Sequence, residues 1–209
     1  MSGLTYDQLI ISVTDNIDKN DKNRYFIALS GPPASGKSTI SENLAKDLSA
    51  RGYNSSILQM DGFHFDDLIL KEKKLLSKKG APETFDVMGL INFVSRLHKE
   101  DEVIIPIFDR SLELSRSSAV IISKNTKVII VEGNYVLLNY YPWSELHKFF
   151  NTTVMINCEK KILEKRLIER WENFNLPKKE IDEKVYKNDL PNGVNVLKNS
   201  IGAEYILEN

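Results

Sequence analysis

Residues Gly31-Pro32-Pro33-Ala34-Ser35-Gly36-Lys37-Ser38 follow the pattern G-x-x-x-x-G-K-S/T. Each fixed position has a physical reason. The glycines let the chain curl through backbone angles that other residues resist. The curl turns successive N–H groups inward, and a helix behind it adds the partial positive charge of its N-terminus. Lys37 can neutralise the outer phosphates of a nucleotide, and the Ser38 hydroxyl can ligate Mg²⁺. Pro32 and Pro33 have no N–H, so the donors must come from Ala34 through Thr39. The flanks agree. Tyr25 to Ser30 is a short apolar run with aromatic and branched members, which reads as a buried parallel strand. Residues 37 to 50 alternate apolar and polar side chains at helical spacing.

The rest of the chain repeats that alternation. Leu4, Leu9, Ile10, Val13 and Ile17 predict a leading amphipathic helix, ended by a loop over residues 20–23. Further strands are expected at Ser56 to Met60, Glu102 to Phe108, Lys127 to Val131 and Thr152 to Asn157. A short extra strand is expected at Ser118 to Ile122, and Ala203 to Glu208 closes the set. Helices are expected from Asp86 to about His98, from Pro142 to Phe149, from Glu159 to Asn173 and from Lys178 to Lys187. Asn188 to Asn192 reads as a turn-rich break. Strands alternating with helices predict an α/β fold, a parallel sheet with helices on both faces.

Composition narrows the partners. The 209 residues are 42% hydrophobic and 27% charged, and the formal net charge is -1. No global bias toward nucleic acid or membrane follows, and no basic stripe with interleaved aromatics appears. The single cysteine, Cys158, excludes an internal disulfide and suits a reducing, cytoplasmic setting. No apolar run approaches the length of a membrane span.

Four further positions carry chemistry. Asp61 ends the second strand, where open α/β sheets place ligand-binding residues, and can accept a hydroxyl proton. Glu132 ends the Val-Ile-Ile-Val run and faces the phosphate loop from a neighbouring strand, where it can hold Mg²⁺. Arg166 and Arg170 lie four apart on one helix face and can close over transferring charge. Two readings stay open: transfer of the ATP γ-phosphate to a small hydroxylated metabolite, or an ATP-binding regulator or ATPase with little acceptor turnover.

Five stretches then carry a resemblance: Ser30 to Thr39, Met60 to Asp66 (M-D-G-F-H-F-D), Lys79 to Val87, Pro106 to Arg110 (P-I-F-D-R) and Val131 to Leu138 (V-E-G-N-Y-V-L-L). Arg166 to Trp171 and Asn188 to Asn192 add to them. Together they resemble the phosphoribulokinase/uridine kinase/pantothenate kinase group of P-loop kinases. The likeness is greatest to a bacterial and yeast subgroup variously labelled fructokinase-like, pantothenate kinase-like or nucleoside kinase-like. The resemblance implies a three-layer α/β/α domain over residues 1–209, sheet order 2-3-1-4-5. A leading helix and loop would occupy 1–24, an acceptor-side insertion 62–85 and a helical lid 159–190. It implies ATP and Mg²⁺, the nucleotide held by Gly31, Ala34, Ser35, Gly36, Lys37, Ser38 and Thr39, and the metal by Ser38 and Glu132. It supports Asp61 as the base, with Lys37, Arg110, Arg166 and Arg170 as catalytic cations. His64, Lys79, Phe85, Asp86, Arg110 and Tyr135 are nominated for the acceptor. A second copy of the chain stays open as a partner. Asp61-Gly62 stands where uridine kinases carry Asp-Asp, so the acceptor stays open too.

Overall fold

Alternate residues of the central strands feed two different cores. The computed structural model describes residues 3–20 and 24–209; most of the loop expected at 20–23 lies outside them. Helix α1 (Tyr6–Asp18) starts at a Thr5 cap whose side chain accepts from the Gln8 N–H while Gln8 caps in return. It buries Leu9, Ile10, Val13 and Ile17. Strand β1 (Tyr25–Ser30) is buried at every position. Its Phe26 and Ala28 enter one core cluster, and its Tyr25, Ile27 and Leu29 enter the other. Helix α2 (Lys37–Ala50) and strand β2 (Ser55–Gln59) follow, then a 3₁₀ turn at Met60–Phe63 and the short helix α3 (Asp67–Glu72). Helix α4 (Val87–Leu97) leads into strands β3 (Val103–Asp109), β4 (Leu114–Ile122) and β5 (Val128–Glu132). A 3₁₀ segment, Trp143–Phe149, precedes β6 (Thr152–Asn157) and α5 (Lys160–Asn173). Helices α6 (Lys178–Lys184) and α7 (Leu190–Asn199) and strand β7 (Tyr205–Glu208) complete the order.

The sheet runs β2-β5-β1-β6-β7 with every pair parallel. Counting its five strands alone, this is the order 2-3-1-4-5. The run expected as the third strand is not among them. β3 pairs antiparallel with β4 as a separate hairpin, and the extra strand is longer than its sequence announced. The register shifts between Ile105 and Ile107, at Pro106, which has no N–H for the ladder. A hairpin with one wet face carries the same short apolar runs as a buried strand, which is why periodicity alone did not separate them.

The break expected at Asn188 to Asn192 is also corrected. α6 passes through a π-helical segment, Val185–Asp189, straight into α7. Pro191 falls in the first turn of α7, where a missing N–H leaves no bond unmade. The wider π turn absorbs the change of register. Leu167 of α5, Ile181 of α6 and Val185 form a small core of their own at this end.

Candidate active site

The phosphate loop sits between β1 and α2. Ala34 (φ 61°) and Gly36 (φ 87°) both take left-handed angles, so the loop curls tightly, and the Ser35 N–H between them donates back to the Pro32 carbonyl at 3.1 Å. Gly36 caps α2 without a side-chain hydrogen bond, and the first turn of α2 holds no acidic residue. The helix therefore leaves its N-terminal donors without a side-chain acceptor, and an anion fits there. Lys37 is buried, with Nζ donating to the Pro32 carbonyl at 2.8 Å. A cavity of about 420 Å³ opens in front, bordered by Ala34, Gly36, Lys37, Ser38 and Thr39. Gly31 and Ser35 do not border it; Ser35 is fully buried beneath the loop.

Sheet register brings the acids to this cavity. β5 lies between β1 and β2, with Glu132 in register with Leu29 on one side and Gln59 on the other. Asp61 follows two residues after Gln59, so both carboxylates meet the loop at the carboxyl end of the sheet. Glu132 is buried. Burial first, and the Asp61 charge second, push its carboxyl above the usual range, against the pull of Lys37 and Arg110. Burial likewise pulls the Lys37 ammonium down, against Glu132 and Asp61. The Ser38 hydroxyl stands beside Glu132. No group of three or more His, Cys, Asp or Glu side chains able to hold a metal occurs among the described residues. A divalent ion here would rest on Glu132, Ser38, phosphate oxygens and water, which is the Mg²⁺ pattern.

A second cavity, about 380 Å³, adjoins the first. Pro33, Asp61, Arg110, Asn134, Arg170 and Phe174 border both. Arg110 Nη2 lies 3.3 Å from Asp61 Oδ2. His64, Lys79 and Phe85, three of the residues nominated for an acceptor, line the second cavity. The His64 ring packs 3.9 Å from the Phe85 ring and 5.1 Å from that of Phe108. His64 Nδ1 lies 3.2 Å from the Asp61 carbonyl, which can only accept, so Nδ1 carries the proton. Lys79 Nζ reaches Asp67 at 2.7 Å and the Glu113 carbonyl at 3.0 Å.

Two acceptor-side expectations fall elsewhere. Asp86 borders neither cavity: Oδ1 accepts the Gly89 N–H at 2.8 Å and caps α4. Tyr135 is fully buried behind the wall, and its hydroxyl donates to the Gly80 carbonyl at 2.6 Å. It shapes the cavity from outside.

The two lid arginines part company. Arg166 borders only the first cavity, with Nη1 3.3 Å from the Ala34 carbonyl. Arg170, one turn on, borders both cavities and lies over the Trp171 ring at 5.1 Å. Asn134, Trp171, Phe174 and Asp189 escaped sequence reasoning. Asn134 sits inside the V-E-G-N-Y stretch, so proximity to Glu132 could have found it. Asp189 accepts from Trp171 Nε1 at 2.7 Å, and Asn188 Nδ2 donates to the Lys79 carbonyl at 2.9 Å. The π segment thus ties α5 to the Lys79 stretch beside the second cavity, a contact between distant segments that spacing does not announce.

Comparisons with known proteins place this geometry. A family model described as "Chromatin associated protein KTI12" matches residues 26–105, the stretch from β1 into β3. A solved structure, the "putative fructose transport system kinase" of Silicibacter sp. TM1040, is 34% identical with a TM-score of 0.92, over 98% of this chain and 99% of that one. The "Putative uridine kinase" of Schizosaccharomyces pombe is 29% identical over 98% of this chain and 90% of its own length. The pantothenate kinase of Enterococcus faecalis is 28% identical over 70% of this chain, which spans 49% of that relative.

Proposed function

Because the chain belongs to the P-loop kinases of the phosphoribulokinase/uridine kinase/pantothenate kinase group, we propose that it transfers the γ-phosphate of ATP to a hydroxyl of a small metabolite. One observation carries the reading: a phosphate-loop cavity and a second cavity share Asp61, Arg110 and Arg170 at their border. A nucleotide on one side and an acceptor on the other would bring both reactants to a single carboxylate.

The residues divide the work. Amides of Ala34 and of Gly36 through Thr39 and the Lys37 ammonium cradle the phosphates, while the Ser35 N–H is already given to the Pro32 carbonyl. Ser38 and Glu132 hold Mg²⁺, which when bound offsets charge on the phosphate oxygens. Asp61 accepts the acceptor's hydroxyl proton; a loose transition state releases that proton late, so an ordinary carboxylate suffices. Arg110 and Arg170 flank the moving phosphoryl group, and Arg166, at the edge of the phosphate-loop cavity, steadies the loop through the Ala34 carbonyl. Residues 62–85 form the acceptor side and 159–190 the lid of one kinase domain.

The test is ADP release with ATP and Mg²⁺ across pantothenate, nucleosides, sugars and sugar phosphates. The reading requires release to rise with one hydroxylated compound, and mass spectrometry to find phosphate on it. Equal release with and without every acceptor would instead mark an ATPase or an ATP-binding regulator.

A further inference from the structure

The β3–β4 hairpin carries a second acid near Arg110. Glu113 borders the acceptor-side cavity, and its Oε1 is shut off from solvent with no hydrogen-bond partner. Its backbone sits in the left-handed region, at φ 52°. That conformation is costly for a side chain of this kind and persists where the surroundings enforce it. Part of the enforcement is visible, since Lys79 Nζ holds the Glu113 carbonyl at 3.0 Å.

The cations of this cavity are engaged elsewhere. The Lys79 ammonium meets Asp67 at 2.7 Å, and Arg110 meets Asp61 at 3.3 Å. Lys184 and Arg170 lie over the Trp171 ring at 4.4 and 5.1 Å. Four acidic and four basic side chains border the cavity, so it offers no net positive charge to an anionic acceptor. A buried carboxylate oxygen without a donor is unfavourable. Glu113 borders the cavity, so a turn of its side chain brings that oxygen to a ligand hydroxyl, which supplies the missing donor. The His64 and Phe108 rings add apolar faces on the same side.

We propose that Glu113 reads a hydroxyl of an uncharged, hydroxyl-rich acceptor, a free sugar or the ribose of a nucleoside, in preference to a carboxylate or a phosphate ester. The inference rests on the transfer reading above and sharpens it to a substrate class and a specificity residue.

The experiment compares D-fructose, D-glucose, uridine and adenosine with pantothenate, D-glycerate and fructose 6-phosphate, by titration calorimetry and by ADP release. At least one uncharged compound should bind more tightly than every anionic one; the sugar and nucleoside arms tell the two sources apart. Glu113→Gln and Glu113→Ala should each raise its dissociation constant and KM about ten- to hundredfold. The KM for ATP should stay in place, which also reports a folded protein. A deoxy analogue lacking the hydroxyl that Glu113 reads should bind wild type and Glu113→Ala alike. Preference for an anionic compound, unchanged affinity in both variants, or no binding from the whole panel would overturn the inference. If the Glu113 variants weaken binding of an uncharged compound that never stimulates ADP release, the inference stands and the transfer reading falls. If an anionic compound drives release, the reverse holds.

Discussion

The Arg110 guanidinium lies 3.3 Å from the Asp61 carboxylate, at the seam where the phosphate-loop cavity and the second cavity meet. The pair joins the end of β2 to the end of β3, two strands that share no sheet. Both groups are partly open to solvent, so the contact contributes little to stability and its significance is in placement.

Asp61→Asn removes the proton acceptor and keeps the shape. Turnover should fall about a hundred- to ten-thousandfold, the range of a positioned base. ATP binding should persist, because the cradle belongs to β1 and α2. Arg110→Ala should also lower turnover, and the double variant should lose less than the product of the two, since the pair acts as a unit. Steady-state kinetics of the three variants with nucleotide titrations checks this; full turnover in Asp61→Asn would remove the base from the account.

Much of this arrangement was legible in the sequence because local rules fix it. The phosphate loop, the strand before it and the helix behind it follow from glycine angles and periodicity within twenty-odd residues. Asp61 and Glu132 were found because they end apolar runs. What local rules missed depends on contacts between distant segments. The 103–109 run reads alike as a sheet strand and as half of a hairpin, and only pairing with 114–122 decides. Asp86 carries the acid expected of a site and spends it on the Gly89 N–H. Glu113 carries no motif at all, and its burial comes from the fold around it.

The lid arginines should separate kinetically. Arg166 touches the Ala34 carbonyl and borders only the nucleotide side. Arg166→Ala should raise the KM for ATP with a smaller change in kcat. Arg170 borders both cavities, so Arg170→Ala should lower kcat about a hundredfold, as the loss of a donor aimed at developing charge does. Equal profiles for the two variants would contradict the assignment.

His64 should contribute a loss of stability on mild acidification; His147, whose ring burial also holds low, adds to it, and Glu132, whose carboxyl burial holds high, opposes it. Burial holds the His64 imidazole below the usual range, with Asp61 opposing. As pH drops through about 6.5 the unfolded chain takes up a proton that the native ring resists. At this group the unfolded state then binds more protons, and its contribution to stability declines with falling pH. The Tm of His64→Gln relative to wild type should therefore rise as pH falls from about 7 to 5.5 in thermal melts. A difference that stays constant across that range would show that His64 does not contribute.

Gly133 bears on the Glu132 and Asp61 carboxylates without a side chain of its own. Gly133 directly follows Glu132, and a Cβ there would stand 2.3 Å from Met60 Cβ and 2.7 Å from its Sδ. Met60 is fully buried and directly precedes Asp61. The bare backbone at Gly133 therefore sets how closely the end of β5 approaches the end of β2, and hence how Glu132 and Asp61 share one cavity. Gly133→Ala must push Met60 aside at the root of its side chain, where no rotamer change relieves the clash. Overpacking of this kind costs about 1–3 kcal/mol, which lowers Tm by about 2–4 °C per kcal/mol in a chain of this size. Turnover should fall further than stability explains, because Asp61 moves with Met60, while ATP binding at the separate β1–α2 loop persists. Gly202→Ala is the control: a Cβ there meets nothing within 4 Å, so Tm and turnover should both hold. If Gly133→Ala matched that control in both measurements, the spacing of the two carboxylates would have to be set elsewhere.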